Sequence, residues 1–103
     1  MGVTENPHVV GGVVLIGRLF DKGFIQGPWQ VETDAVVEHL REIPPEQRGG
    51  PHEWVTEALR LMNLKGRYEI RGEVREFKGI PPEHEVGIMA LLMDEAEALA
   101  GDG

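Results

Sequence analysis

Serine and cysteine are both missing from this chain of 103 residues. Their absence removes the two commonest side-chain nucleophiles, the thiolate ligands of zinc and iron-sulfur sites, and any disulfide framework. The sequence also has no GxxxxGK[ST] phosphate loop, no GxGxxG fingerprint after a strand and no HExxH-type run. Its four histidines lie in four separate segments. We therefore predict no catalytic residues, no metal site and no cofactor.

Positive charge is scarce, because 18 acidic residues face only 10 basic ones and the net charge is -8. Such a charge repels nucleic-acid phosphates and anionic membranes and attracts basic protein surfaces. Long hydrophobic runs are missing too. The longest, Val9 to Ile16, is interrupted by Gly11 and Gly12, is too short to span a bilayer and follows no basic signal-peptide segment. We expect a cytoplasmic protein without membrane contact.

Length and composition predict one hydrophobic core. A chain of 103 residues with 41% hydrophobic and 27% charged residues falls in the range of globular domains. We expect a flexible N-terminus over residues 1–6, a single globular domain over residues 7–100 and a flexible C-terminus over residues 101–103.

The first element has two interpretations. Asn6 and Pro7 form an N-cap signal, apolar residues recur at helical spacing, and Gly23 is suited to end a helix, with Phe24 supplying its hydrophobic contact. These features favour a helix over residues 7–22. A β-hairpin competes, because the segment is rich in β-branched residues and contains three glycines.

Three later segments are predicted to form helices. Thr33 is expected to cap a helix that ends at Ile43, before Pro44-Pro45. After a loop, a further helix is expected from Pro51 to about Asn63. Pro81-Pro82 precede the last helix, which runs from Glu83 to about Ala100.

In residues 67–77 the spacing of the apolar residues differs from that of the predicted helices. Charged residues alternate with apolar ones, which indicates a short strand, or a hairpin that turns at Gly72-Glu73 with Tyr68 opposite Phe77. The predicted fold class is therefore α+β, mainly helical, with about four helices and one β-hairpin or short strand before the C-terminal helix. This order of elements resembles that of a winged helix.

The predicted core combines residues from all of these segments. Trp29, in the connector around Gly27-Pro28, is expected at its edge. The core members are Val13, Ile16, Phe20, Trp54, Leu59, Ile70, Val74, Met89 and Leu92.

The last helix has more apolar surface than one packing face requires. From Val86 to Met93 it has no polar face, so it either runs through the centre of the fold or contacts a second chain. We predict a small acidic protein-binding module, an adaptor, inhibitor or subunit, that self-associates as a homodimer or binds another protein. The predicted partner-binding residues form one stripe, namely Val86, Met89, Ala90 and Met93.

The alternative function is a winged helix-turn-helix DNA-binding regulator that uses residues 51–78. Segment 60–78 holds six basic residues and three acidic ones, whereas the rest of the chain is strongly acidic. Against this alternative, the recognition helix would begin with His52 and Glu53, which are poor readers of base edges. The nucleic-acid-binding residues would be Arg60, Lys65, Arg67, Arg71, Arg75 and Lys78.

Overall fold

The computed structural model describes residues 6–24, 32–63, 66–70, 73–77 and 85–101. Five helices form its body, and two short strands lie between the fourth helix and the fifth. The elements are α1 (Pro7–Asp21), α2 (Thr33–Glu42), α3 (Pro45–Arg48), α4 (Pro51–Asn63), β1 (Gly66–Ile70), β2 (Glu73–Phe77) and α5 (Glu85–Gly101).

Helix α1 has the ends that the sequence predicts. The Asn6 side chain accepts a hydrogen bond of 2.9 Å from the His8 backbone N–H, and Pro7 occupies the first helical position. At the other end Gly23 adopts a φ of 80°, its N–H donates to Phe20, and the Phe24 N–H donates to Leu19. This pair of bonds is a Schellman motif. The helix interpretation is therefore confirmed over the hairpin, and Phe24, the last residue of this motif, is 55% exposed.

Helix α1 occupies the centre of the fold. Every residue from Val9 to Gly17 is buried, and the helix packs against α2, α3, α4 and α5. Two adjacent glycines bring α4 close: a Cβ added at Gly11 would lie 2.1 Å from Trp54, and one at Gly12 would lie 2.9 Å from the Ala58 backbone nitrogen. The hydrophobic run that is too short to span a bilayer is thus the inner helix of the domain.

Helices α2 and α3 correct two details of the sequence interpretation. Thr33 is the first residue of α2 and not its cap: Glu32 is the N-cap residue, and the Thr33 hydroxyl donates to Asp21 at 2.9 Å. The segment after Pro44, expected to be a loop, forms the single turn α3 before α4 begins at Pro51 as predicted.

Trp54 connects α4 to the end of α3 by a hydrogen bond. Its indole N–H donates to the Arg48 carbonyl at 2.9 Å, while the Arg48 guanidinium donates to the carbonyls of Ile43 and Arg41 at 2.8 and 3.0 Å. The buried polar groups of this corner therefore have partners, which is what burial of a tryptophan requires.

The expected α+β class is wrong: the body of the protein is an all-helical fold of five helices, not about four. Strands β1 and β2 pair with each other, antiparallel, and their register sets Tyr68 opposite Arg75 and Gly66 opposite Phe77. The expected pairing of Tyr68 with Phe77 is therefore also wrong. The physical reason for the all-helical body is that the buried residues of the described core all come from helices or, at Ile43, from the cap of α2. A two-stranded hairpin has too little surface to build such a core.

The predicted core is correct in part. Val13, Ile16, Trp54 and Leu92 are buried, whereas Phe20 and Leu59 are partly buried against the core. Met89 is wrong, because it is 45% exposed. Trp29 lies outside the described residues, and so do the side chains of Ile70 and Val74 in the two strands.

Candidate functional site

The core does not bury all of the apolar surface of helix α5. Its sequence from Val86 to Met93 is apolar throughout, yet the centre of the fold belongs to α1. The described core takes only three apolar α5 residues to full burial, Leu92, Ala96 and Leu99, and these lie at helical spacing on one face. The remaining surface of α5 therefore faces outward or is covered only partly.

The exposed apolar residues of α5 lie in its first half. Gly87, Met89 and Ala90 are exposed, and Met93, one turn further on, is half-buried against the core. We call Met89, Ala90 and Met93 the α5 apolar patch. Large exposed hydrophobic side chains are uncommon in this structure, since Met89 and Phe24 are the two found among the described residues. Contiguous apolar surface of this kind marks interaction sites more often than single exposed residues do.

The four predicted partner-binding residues lie together on α5, three of them in the patch. The side chain of the fourth, Val86, lies outside the described part of the chain. Partner binding itself stays a prediction.

Carboxylates follow the patch along the same helix. Asp94 lies four residues after Ala90, and Glu97 lies four residues after Met93, so each sits one turn further along the same side of α5. Both are exposed. Helix α5 contains no lysine and no arginine. From the patch toward the C-terminus of α5, the outer surface of this helix therefore changes from apolar to acidic.

A polar groove lies beside α5, between it, the end of α1 and α2. Its volume is about 710 Å³. At its base the Glu95 carboxylate, 9% exposed, accepts a hydrogen bond from Lys22 and lies 3.9 Å from the Arg18 guanidinium. Asp34 and Glu38 of α2 line the outer part of the groove and are exposed.

Glu95 is the residue of this groove whose burial sequence reasoning missed, although a signal for it exists. It falls three residues after Leu92 and four before Leu99, on the buried face of α5. A carboxylate at such a position needs a cationic partner, because an unpaired buried charge is costly. Lys22 and Arg18 meet that need from α1.

Of the six residues of the DNA-binding alternative, Arg60 is the one whose side chain the structure describes. Arg60 on α4 pairs with Glu57 at 2.7 Å, and Arg67 and Arg75 lie on the two strands. Lys65, Arg71 and Lys78 fall outside the described residues. The α+β fold class that this alternative assumes is wrong, and DNA binding itself stays a prediction.

One carboxylate of α4 has a perturbed pKa. Hydrogen bonds from backbone N–H groups, its own and that of Gly50 at 3.1 Å, lower the pKa of Glu53. Charge attraction from His52 and His8 acts in the same direction. Glu53 is fully exposed and lies in the first turn of α4, where a carboxylate caps the helix. Its role is therefore structural.

Among the described residues, no group of three histidine, aspartate or glutamate side chains is placed to hold a metal ion. Within the same part of the chain, every helix is too short or too polar to cross a membrane.

The comparisons with known proteins add no family or relative. The chain matches no protein-family model, no curated protein and no solved structure. Any functional conclusion therefore depends on the physical features of the chain itself.

Proposed function

We propose that this chain is a small, acidic, non-enzymatic module that binds another protein through the α5 apolar patch. The observation that carries the proposal is the exposed apolar first half of α5, in a fold whose centre is already filled by α1. An apolar segment that the domain does not bury gains free energy when a partner covers it, at about 25 cal/mol per Å² of apolar surface removed from water.

The composition of the patch supports the same function. Methionine side chains are flexible and polarizable, so they fit partner surfaces of different shapes. Gly87 and Ala90 lie three residues apart beside the methionines, and a Cβ added at Gly87 would meet nothing within 4 Å. A partner helix therefore has room to approach the α5 backbone closely, since interaxial distances shorten when contact residues are small.

The polar groove supports a binding role over a catalytic one. Its buried carboxylate, Glu95, is held by two cations, Lys22 and Arg18. This arrangement links α1 to α5 and occupies the carboxylate with charge partners. A general base needs a carboxylate available to accept a proton from substrate.

A matched pair of variants tests the proposal. Ala90→Glu places a charge in the patch, whereas Thr56→Glu adds the same charge at an exposed position of another helix, α4. A photoreactive residue introduced at position 89 or at position 56 would crosslink the protein to its partner in cells that express it. We expect a specific adduct from position 89 only. The purified partner should bind Ala90→Glu at least about tenfold more weakly than Thr56→Glu, because a charge in an apolar contact loses its hydration and gains no charge partner.

The identity of the partner follows from the mass of the adduct and from sedimentation. An adduct of twice the mass of the chain, with a dimer that Ala90→Glu dissociates and Thr56→Glu retains, would assign the surface to self-association, the homodimer predicted from the sequence. Identical adducts from positions 89 and 56, together with equal partner affinity of the two variants, would contradict the proposed function.

A further inference from the structure

The outer surface of α5 indicates which kinds of side chain a partner must carry to bind it. This inference rests on the proposed function. Its apolar half consists of the α5 apolar patch, and its acidic half consists of Asp94 and Glu97, each four residues beyond a patch member. A helix rises 1.5 Å per residue, so the two halves are separated by about 6 Å along the axis. One partner helix is long enough to cover both.

The acidic half continues across the groove onto α2. Ala98 of α5 lines the groove together with Asp34 and Glu38, and both of these carboxylates are exposed. Arg41 is an exposed cation of the same lining and is outnumbered by these two carboxylates. Lys22 and Arg18 are directed to the buried Glu95. The surface beside the apolar patch therefore has a negative potential with contributions from two helices.

Charge complementarity decides between the possible occupants. A second copy of the chain would bring another α5 without lysine or arginine and another net charge of -8 to the same surface. Like charges placed together oppose association, whereas opposite charges steer it and fix its register. We propose that the occupant is a basic amphipathic helix of a partner protein, with apolar residues over the patch and lysine or arginine residues one to two turns away over Asp94 and Glu97.

Synthetic peptides test this proposal directly, because they present the chemistry of the partner helix in a defined form. Three amphipathic helical peptides of about 18 residues, or five turns, would share one leucine face and carry lysine, glutamine or glutamate on the other face. Affinity for the wild-type chain would be measured by isothermal titration calorimetry at two salt concentrations. We expect the leucine-lysine peptide to bind most tightly and to lose affinity as salt is added.

Two double variants separate a local contact from general attraction to an acidic protein. Asp94→Asn/Glu97→Gln removes two charges next to the patch, and Glu42→Gln/Glu46→Gln removes two exposed charges from α2 and α3. The two variants therefore have the same net charge as each other. We expect the first to bind the leucine-lysine peptide about two- to thirtyfold more weakly than the second, from the usual strength of two exposed charge pairs.

The outcomes distinguish this inference from the proposed function. Equal affinity of the two double variants, or equal affinity of the wild type for the lysine and glutamine peptides, would overturn the basic partner. If Ala90→Glu still weakened binding of the glutamine peptide relative to Thr56→Glu, the apolar patch would remain the docking surface and the proposed function would stand. A concentration-dependent dimer that excludes all three peptides would overturn the basic partner and assign the surface to a second copy.

Discussion

The contact between α1 and α4 at Gly11 gives the most direct test of the packing. In Gly11→Ala the new methyl carbon would lie 2.1 Å from Trp54 Cδ1 and 2.5 Å from Nε1, far inside van der Waals contact. Trp54 is 3% exposed and its indole N–H is bonded to the Arg48 carbonyl at 2.9 Å. The ring therefore cannot move aside without disturbing the buried corner after α3.

The expected cost is the balance of three effects. Overpacking a core costs about 1 to 3 kcal/mol, and loss of the indole hydrogen bond adds about 0.5 to 1.5 kcal/mol. Replacing glycine by alanine within a helix returns about 0.4 to 1 kcal/mol. We expect Gly11→Ala to destabilise the protein by about 1 to 3 kcal/mol.

Urea unfolding followed by far-UV circular dichroism measures this change, with Gly87→Ala as the control. Gly87 also lies within a helix, but an added Cβ there meets nothing within 4 Å, so that variant should be slightly stabilised. A Gly11→Ala midpoint equal to or above that of the wild type would refute the close approach of α1 to Trp54.

Two further predictions concern helix starts. Asn6→Ala removes the side-chain cap on the His8 N–H and should lower the free energy of unfolding by about 0.5 to 2 kcal/mol in urea unfolding, whereas retention of full stability would show that the cap is dispensable. In Glu53→Gln the carboxylate whose pKa is lowered in the folded state is lost. The wild type should therefore melt above this variant at pH 7, and the gap should close as the pH falls below the ordinary pKa of a glutamate and through the lowered pKa of Glu53, so a gap that is unchanged at low pH would contradict the assignment.

The ends of α1 are visible in the sequence because capping is local chemistry. Asn6-Pro7 and Lys22-Gly23 each specify a helix end through bonds between near neighbours. The position of α1 at the centre is not local, because α5 is also apolar around most of its circumference. The packing of the other helices decides which of the two becomes enclosed. Gly11 and Gly12, which favour a hairpin by propensity alone, serve in the structure as close-approach sites against α4.

Met89 shows a second limit of periodicity. Its spacing relative to Leu92 and Ala96 places it near the buried side of α5, which is why the sequence predicts it as a core residue. Ile88, one residue earlier, is partly buried against the core, so Met89 is exposed because it lies at the edge of the buried face and not because the core ends before it. The same limit applies to α3, whose four residues are too few for a period to be recognised. In contrast, the burial of Glu95 was available from spacing alone.

The pairing of Lys22 with Glu95 leads to the last prediction, which depends on unequal burial of the two partners. The Lys22 side chain is 56% exposed, so after Glu95→Gln its ammonium group returns to water at little cost. After Lys22→Met the carboxylate of Glu95, only 9% exposed, keeps Arg18, at 3.9 Å, as its cationic partner among the described residues. Breaking a fully buried pair costs about 3 to 5 kcal/mol, and the exposure of Lys22 reduces this figure. We expect about 2 to 3 kcal/mol for Lys22→Met and about 1 kcal/mol for Glu95→Gln.

A double-mutant cycle in urea separates this pair from the other effects of each substitution, including the attraction of Lys22 to the end of the α1 dipole. The pair Glu57 and Arg60, three residues apart on α4 with side chains 18% and 45% exposed, provides the reference, with an expected coupling of about 0.2 to 0.5 kcal/mol. The coupling of Lys22 to Glu95 should exceed it, because a carboxylate removed from water interacts more strongly with its partner. If Glu95→Gln cost as much as Lys22→Met, or if the two couplings were equal, the link between α1 and α5 would be a surface contact, and the base of the groove would be open to solvent.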